Sequence, residues 1–193
     1  MRRKPAKKIG VIFLDRDGVI NLPPAGRYIS GWDQFRFLPD VLKTLHRLNT
    51  RGDRVIVISN QSGVGRGIMT KRQLTEVTRK MVAEIRKNGG HLDAVYYCTH
   101  HPEKGCRCRK PHPGMLKKAA ARFPIDLKKS FFIGDSETDI LTGRFAGCRT
   151  ILVLTGRHTK ETAKQLITQP DRISANLTQA IRWIAQERRR EKP

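Results

Sequence analysis

The sequence predicts an α/β fold with a doubly wound, Rossmann-like parallel sheet that is flanked by helices. Short apolar segments rich in β-branched residues alternate with longer amphipathic segments along the chain. Strands separated by helices form right-handed βαβ units, which place the strands parallel. The 193 residues suffice for one domain with a buried core, and no stretch between the predicted strands is long enough for a large cap domain. We therefore expect a single domain over 1–193, with basic tails at 1–8 and 188–193.

The individual elements follow from apolar periodicity and from residues that start or stop helices. The predicted strands are 9–15, 54–59, 94–98, 130–134 and 150–154. A helix with apolar residues at helical spacing from Val41 to Leu48 stops at Gly52. A capping pattern at Thr70 and Gln73 opens a second helix, and Gly89 ends it. Further helices are predicted over 115–123, over 137–146 and after Asn176.

The composition indicates a folded and strongly basic protein. Lys and Arg number 39 against 17 Asp and Glu, so the formal net charge is +22. Such an excess attracts nucleic acid, anionic membranes or small phosphorylated ligands, although it also fits a basic surface that has no dedicated partner. The apolar runs are too short for a transmembrane helix or a signal-peptide core. We therefore expect a cytoplasmic protein without membrane contact.

Polar residues collect at the carboxyl ends of the predicted strands, where open parallel sheets bind their ligands. Asp15 ends the first strand and Asp17 follows it, Ser59 ends the second strand and Asp135 follows the fourth. Two carboxylates at one strand end suit a nucleophile and a proton donor. Asp135 can complete an oxygen site for Mg²⁺ with Asp15. Together with the cations at 109–110, this set predicts metal-assisted phosphoryl transfer through an aspartyl-phosphate.

Three of the four cysteines lie close together and have a histidine among them. Cys98, His100, Cys106 and Cys108 supply four ligands of the kind that a closed tetrahedral Zn²⁺ site uses. Their spacing differs from that of an ordinary zinc finger, so spacing alone leaves the site open. A zinc bound by all four would be structural: it would fold this loop and orient the two cations that follow it.

Four ordered segments resemble the motifs of the haloacid-dehalogenase-like phosphatases. They are 15–21, 59–67, 106–115 and 133–139, which read DRDGVIN, SNQSGVGRG, CRCRKPHPGM and IGDSETD. Within that superfamily they are most similar to the D,D-heptose 1,7-bisphosphate 7-phosphatases and their histidinol-phosphate phosphatase relatives. The short Cys/His loop points to the second branch, and Ser136 stands where several heptose enzymes have a basic residue, which removes a possible substrate contact. The second and third motifs point to the first, which we favour.

The resemblance implies a role for each matching residue. Asp15 is the implied nucleophile, Asp17 the general acid and then base, and Ser59 and Lys110 stabilise the phosphoryl group. Mg²⁺ is held by Asp15, by the backbone carbonyl of Asp17 and by Asp135, and the zinc by the cysteine and histidine ligands. The expected substrate-binding residues are Arg16, Gly26, Arg27, Tyr28, Asn60, Gln61, Ser62, Arg109 and Ser136.

Three functions from different classes remain open on the sequence. The first is a phosphatase, expected to be a monomer, that acts on a small phosphorylated sugar or a histidinol phosphate. The second is a polynucleotide 3′-phosphatase, which the basic charge and a cap-less site would suit. No nucleic-acid motif is present and aromatic residues make up only 6% of the chain, so we expect no specific nucleic-acid partner. A non-enzymatic basic binding module would leave the ordered acid, hydroxyl and lysine residues unexplained.

Overall fold

The computed structural model describes residues 8–23 and 28–191, and within them six strands form one parallel sheet. The strands are β1 Ile12–Leu14, β2 Val55–Asn60, β3 Ala94–Cys98, β4 Phe131–Gly134, β5 Arg149–Val153 and β6 Arg172–Ser174. Their order across the sheet is β3-β2-β1-β4-β5-β6. This order reverses direction at β1, so the crevice between β1 and β4 is the place where such a sheet binds ligands.

Among the described residues, five α-helices connect the strands and a sixth follows β6. They are α1 Val41–Thr50, α2 Lys71–Lys87, α3 Gly114–Arg122, α4 Glu137–Ala146, α5 Lys160–Ala163 and α6 Leu177–Arg190. Short 3-10 helices lie at Trp32–Gln34, Pro102–Lys104 and Leu127–Lys129. Among the described residues, no helix has the length and apolar character that crossing a membrane requires.

Consecutive residues of a strand point to opposite faces of the sheet. Helices cover both faces, so both sets of side chains are buried. Ile12 and Leu14 pack on the face that α1, α2 and α6 cover. Phe13, between them, packs on the opposite face against Leu116 of α3. Buried strands in parallel sheets therefore read as continuous apolar runs, which is how these strands appear in the sequence.

The structure confirms the predicted fold class and adds two short elements. Strand β6 and helix α5 were not expected from the sequence, and β6 extends the sheet beyond β5. The capping box at Thr70 and Gln73 is present at the start of α2. The first residues of the predicted basic tail at 188–193 are helical: Arg188 to Arg190 form the last turn of α6, and Arg188 pairs with Asp53. Residues 1–7 and 192–193 lie outside the described residues.

Candidate active site

Two carboxylates meet at the switch point of the sheet because β1 and β4 are paired in register. Leu14 lies opposite Ile133, so the chain leaves both strands at the same edge of the sheet, with Asp15 directly after β1 and Asp135 directly after β4. A carboxylate oxygen of each lies within 4.8 Å of the other and of an oxygen of Asp139. All three carboxylates are buried.

Two glycines allow the chain to pack tightly around Asp135. A Cβ atom at Gly18 or at Gly156 would overlap the Asp135 carboxylate. Gly18 also has a φ of +82°, which a residue with a side chain adopts only with strain. Gly18 therefore serves both the sharp turn after Asp17 and the close approach to Asp135.

Lys110 is the buried cation of this carboxylate cluster. Its Nζ lies 3.0 Å from Asp15 Oδ1 and 2.5 Å from Asp139 Oδ1. Burial alone would lower the pKa of Lys110, but the carboxylates of Asp139 and Asp15 raise it above its usual value. The ammonium group therefore stays charged beside Asp15. Asn60 fixes the Lys110 backbone through two hydrogen bonds of 3.1 Å, one donated and one accepted by its side-chain amide.

The three carboxylates of Asp15, Asp135 and Asp139 carry more negative charge than the single ammonium group of Lys110 neutralises. Burial raises the pKa of Asp135 to about 7, and the neighbouring Asp139 and Asp15 raise it in the same direction. Burial also raises the pKa of Asp15 to about 6, although Lys110 lowers it. A divalent cation bound by oxygen ligands would relieve this repulsion, so the donor set fits Mg²⁺.

Asp139 is already engaged within the protein, which leaves Asp15 and Asp135 for the ion. Besides its ion pair with Lys110, Asp139 accepts hydrogen bonds from the backbone N–H and the hydroxyl of Ser136. The bond from the Ser136 backbone N–H is part of the capping box of α4. Asp15 and Asp135, by contrast, line the cavity.

The carboxylates open into a cavity of about 850 Å³. Its lining includes the following predicted residues: Asp15, Asp17, Tyr28, Ser59, Asn60, Ser62, Arg109, Lys110, Asp135 and Ser136. Tyr28 and Ser62 share a hydrogen bond of 3.1 Å between their hydroxyls. The Arg109 side chain lines the cavity, and its buried Nη1 has no hydrogen-bond partner among the described residues. The structure thus brings most of the predicted site together, whereas Gly26 and Arg27 lie outside the described residues.

Two of the expected substrate-binding side chains do not reach the cavity. Arg16 is fully buried, and its guanidinium binds the carboxylate of Asp17 instead. Gln61 is 1% exposed and donates its side-chain N–H groups to Asp17 and Ser59. The structure therefore does not bring these two side chains to the cavity; both are covered and bind residues that line it.

Two arginines that the sequence analysis did not single out also line the cavity. Arg66 lies in the glycine-rich loop after β2, and Arg157 follows β5. Both are exposed, and the charge of Arg157 lowers the pKa of Asp135 against the effect of burial. Arg157 follows a strand end of the parallel sheet, so the rule that pointed to Asp15 and Asp135 applies to it as well.

A second cluster lies beside the cavity and consists of Cys98, His100, Cys106 and Cys108. Cys98, at the end of β3, has its Sγ 3.5 Å from that of Cys106 and 3.4 Å from that of Cys108. His100 Nδ1 lies 3.7 Å from Cys98 Sγ and 3.2 Å from Cys108 Sγ. A tetrahedral zinc with Zn–S bonds of about 2.3 Å separates its sulfur ligands by about 3.8 Å. The four ligand atoms therefore have the chemistry and nearly the spacing of a zinc site.

Comparison with known proteins shows similarity over almost the whole chain. A family model described as HAD-hydrolase-like matches residues 107–180. The D-glycero-beta-D-manno-heptose-1,7-bisphosphate 7-phosphatase of Photorhabdus laumondii is 36% identical over 184 residues, which cover 91% of this chain and 97% of the relative. The enzyme of that name from Escherichia coli K12 is also 36% identical, over 92% of this chain and 96% of its own length.

A solved structure agrees with these relatives. The crystal structure of D,D-heptose 1,7-bisphosphate phosphatase from B. bronchiseptica, complexed with magnesium and phosphate, superimposes with a TM-score of 0.85 at 33% identity. The match covers 93% of this chain and 99% of that one. The chain therefore belongs to the haloacid-dehalogenase-like phosphatases, in the family that contains the D-glycero-D-manno-heptose 1,7-bisphosphate 7-phosphatases.

Proposed function

We propose that this protein removes the 7-phosphate of D-glycero-D-manno-heptose 1,7-bisphosphate, with Asp15 as the nucleophile. The observation that carries the proposal is the convergence of Asp15, Ser59, Lys110 and Asp135 at one end of the cavity, with Asp17 beside them. The choice of substrate rests on the relatives named heptose bisphosphate phosphatase, which match about nine tenths of the chain.

In the first half-reaction, a carboxylate oxygen of Asp15 attacks phosphorus, and the bond from phosphorus to the sugar oxygen breaks. Asp17 donates its proton to this oxygen, so the sugar leaves with a free hydroxyl group. The Lys110 ammonium, 3.0 Å from Asp15, stabilises the charge that gathers on the phosphoryl oxygens, and Ser59 donates its hydroxyl to them.

In the second half-reaction, Asp17 takes a proton from water as the water oxygen attacks phosphorus. The acyl-phosphate bond breaks, which releases inorganic phosphate and restores the Asp15 carboxylate. Mg²⁺ bound by Asp15, Asp135 and the Asp17 backbone carbonyl would neutralise charge on the carboxylates and on the phosphoryl oxygens.

The charge around the cavity supports a substrate with two phosphates. Arg66, Arg109 and Arg157 also line the cavity, in addition to Lys110. Guanidinium groups bind phosphate oxygens through paired N–H donors. Histidinol phosphate carries one phosphate and a cationic amine, which three arginines would repel. The arginines therefore favour the bisphosphate over histidinol phosphate.

We also propose that Cys98, His100, Cys106 and Cys108 hold a structural zinc. With four protein ligands, no position remains for water, so this ion takes no part in hydrolysis. Cys108 directly precedes Arg109 and Lys110 in the chain, so a fixed loop places both cations at the cavity.

A panel of phosphate esters tests the proposed substrate. In the presence of Mg²⁺, we expect kcat/KM for the heptose bisphosphate to exceed that for histidinol phosphate and for a 3′-phosphorylated oligonucleotide by about 100-fold, equivalent to about 2.7 kcal/mol of transition-state stabilisation. Comparable or higher values for histidinol phosphate would identify that branch instead, and a preference for the oligonucleotide would explain the net charge as a nucleic-acid surface.

A further inference from the structure

Arg16 lies between the two catalytic carboxylates in the sequence, but its side chain contacts only the second. Nε and Nη2 of Arg16 lie 3.2 and 3.0 Å from Asp17 Oδ1, and Nη2 also lies 3.0 Å from Oδ2. The guanidinium is fully buried and lies over the ring of Tyr97, at 5.7 Å from its centroid. This pair is separate from the ion pairs of Lys110, so Asp15 and Asp17 each have a cation of their own.

Two amide side chains complete the surroundings of the Asp17 carboxylate. Asn21 donates its N–H to Oδ1 at 2.9 Å, and Gln61 donates to Oδ2 at 2.8 Å. Every side-chain partner of this carboxylate among the described residues is therefore a hydrogen-bond donor. In this arrangement none of the three side chains presents an acceptor to the Asp17 oxygens.

The remaining open direction of Asp17 is the cavity, which its side chain lines with 22% of its surface exposed. A proton on Asp17 finds no acceptor behind it, because Arg16, Asn21 and Gln61 only donate there. An oxygen of a phosphate ester in the cavity is then the natural acceptor of that proton.

We propose that Arg16 is a positioning residue that directs the proton of Asp17 to the leaving oxygen of the substrate. The two-pronged contact fixes the plane of the Asp17 carboxylate, and only a guanidinium makes such a contact with both oxygens. This inference rests on the proposed role of Asp17 as acid and base, and it assigns to a buried side chain the geometry on which that role depends.

Leaving-group dependence separates this role from a general loss of structure. The p-nitrophenolate ion departs without a proton, whereas a sugar alkoxide needs one, so only the sugar phosphate depends on a well-placed acid during formation of the aspartyl-phosphate. The experiment measures kcat/KM for the heptose bisphosphate and for p-nitrophenyl phosphate in wild type, Arg16→Lys, Arg16→Met and Asp17→Asn.

We expect Arg16→Met to lower kcat/KM for the heptose bisphosphate by about 100-fold and that for p-nitrophenyl phosphate by about threefold, within the range of general acid catalysis. Arg16→Lys keeps the charge without the two-pronged contact, so it should show the same selectivity with a smaller loss. Equal losses on the two substrates in Arg16→Lys would overturn the proposal, even if Arg16→Met fails to fold.

A double variant gives an independent answer. Because Arg16 acts through Asp17, Arg16→Lys should cost nothing further on the heptose bisphosphate once Asp17 is Asn. Losses that multiply would show that Arg16 acts elsewhere. If the wild-type protein prefers another alkyl phosphate, the proposed substrate fails while the same comparison proceeds on that ester.

Discussion

At the residue scale, side chains at the carboxyl ends of the strands determine the chemistry of the cavity. Asp15, Asp17, Ser59 and Asp135 were expected to converge because parallel strands end at one edge of the sheet, and all four line the cavity. The sequence shows that Arg16 adjoins the site but not which way its side chain turns, and the structure turns it toward Asp17 and away from the cavity. Burial decides that direction, and burial depends on the packing of Tyr97 beneath it.

The raised pKa values of Asp15 and Asp135 predict how Mg²⁺ binding depends on pH. Burial raises the pKa of both carboxyls above that of the unfolded chain, so the unfolded state ionises first as pH rises. Without Mg²⁺, these groups favour the folded state at low pH, and this contribution declines between the usual Asp pKa and about 7. Mg²⁺ binds the ionised carboxylates, so its stabilising effect should grow over the same range.

Thermal melting with and without Mg²⁺ checks this dependence. At a Mg²⁺ concentration of about 100 times Kd, binding adds about 2.7 kcal/mol to the free energy of unfolding. We expect the rise in Tm to be larger at pH 8 than at pH 5, and to vanish in Asp135→Asn. A rise that is independent of pH, or one that survives in Asp135→Asn, would place the ion elsewhere.

Arg157 provides a test of the two-phosphate reading. Arg157→Gln should lower kcat/KM for the heptose bisphosphate by about tenfold, because it removes a charged hydrogen-bond donor at the exposed side of the cavity. Activity on p-nitrophenyl phosphate, which has no second phosphate, should change less than about twofold. Arg86→Gln, an exposed position on α2 outside the cavity lining, is the matched control. Equal losses on both substrates would exclude recognition of a second phosphate by Arg157.

At the scale of elements, the loop after β3 depends on its cysteines more than on apolar packing. Among the described residues, the 3-10 helix Pro102–Lys104 within this loop has no buried side chain. The sequence supplied the ligand types, but their convergence depends on β3 ending at Cys98 while the loop returns to bring Cys106 and Cys108 beside it. The sequence did not predict β6 and α5, because elements of three or four residues are too short to show a regular spacing of apolar residues.

Cys108→Ser tests the structural zinc. The purified wild-type protein should contain about one equivalent of zinc, and the variant should lose it because the set then lacks a thiolate ligand. Its kcat/KM should fall by about 10-fold or more, because Arg109 and Lys110 follow the altered ligand. Elemental analysis and steady-state kinetics measure both effects.

Cys148→Ala is the control for this variant. Cys148 is buried outside the cluster, and burial raises the pKa of its thiol to about 12, so the thiol stays protonated. This variant should retain zinc and activity. Zinc retained in Cys108→Ser would contradict the four-ligand site.

At the scale of the whole molecule, the charge of +22 is only partly explained by the site. The cavity carries Arg66, Arg109, Lys110 and Arg157, while other basic residues belong to the scaffold. Arg149, for example, lies 4.2 Å from the centroid of the Phe131 ring and pairs with Glu187. Net charge alone does not show which basic residues lie at the cavity and which belong to the scaffold, because it carries no information about position.

Removal of the chain ends tests whether their charge serves catalysis. Deletion of residues 1–7 and 192–193, which leaves α6 and the Arg188–Asp53 pair intact, should change kcat on the heptose bisphosphate by less than about threefold, under about 1 kcal/mol of barrier. Circular dichroism confirms that the shortened protein is folded. A loss of about 100-fold in the folded protein would assign these ends to the active site.

The central claim is that Asp15 forms a covalent aspartyl-phosphate, and chemical trapping tests it most directly. Borohydride reduces an acyl phosphate to an alcohol, so a reaction quenched during turnover should yield homoserine at position 15, identified by peptide mass spectrometry. We expect this product in the wild-type protein with Mg²⁺ and substrate, and its absence without substrate. Asp15→Asn should show neither trapping nor turnover, because an amide is a poor nucleophile toward phosphorus. Hydrolysis at the wild-type rate in Asp15→Asn, or trapping at another carboxylate, would contradict the account.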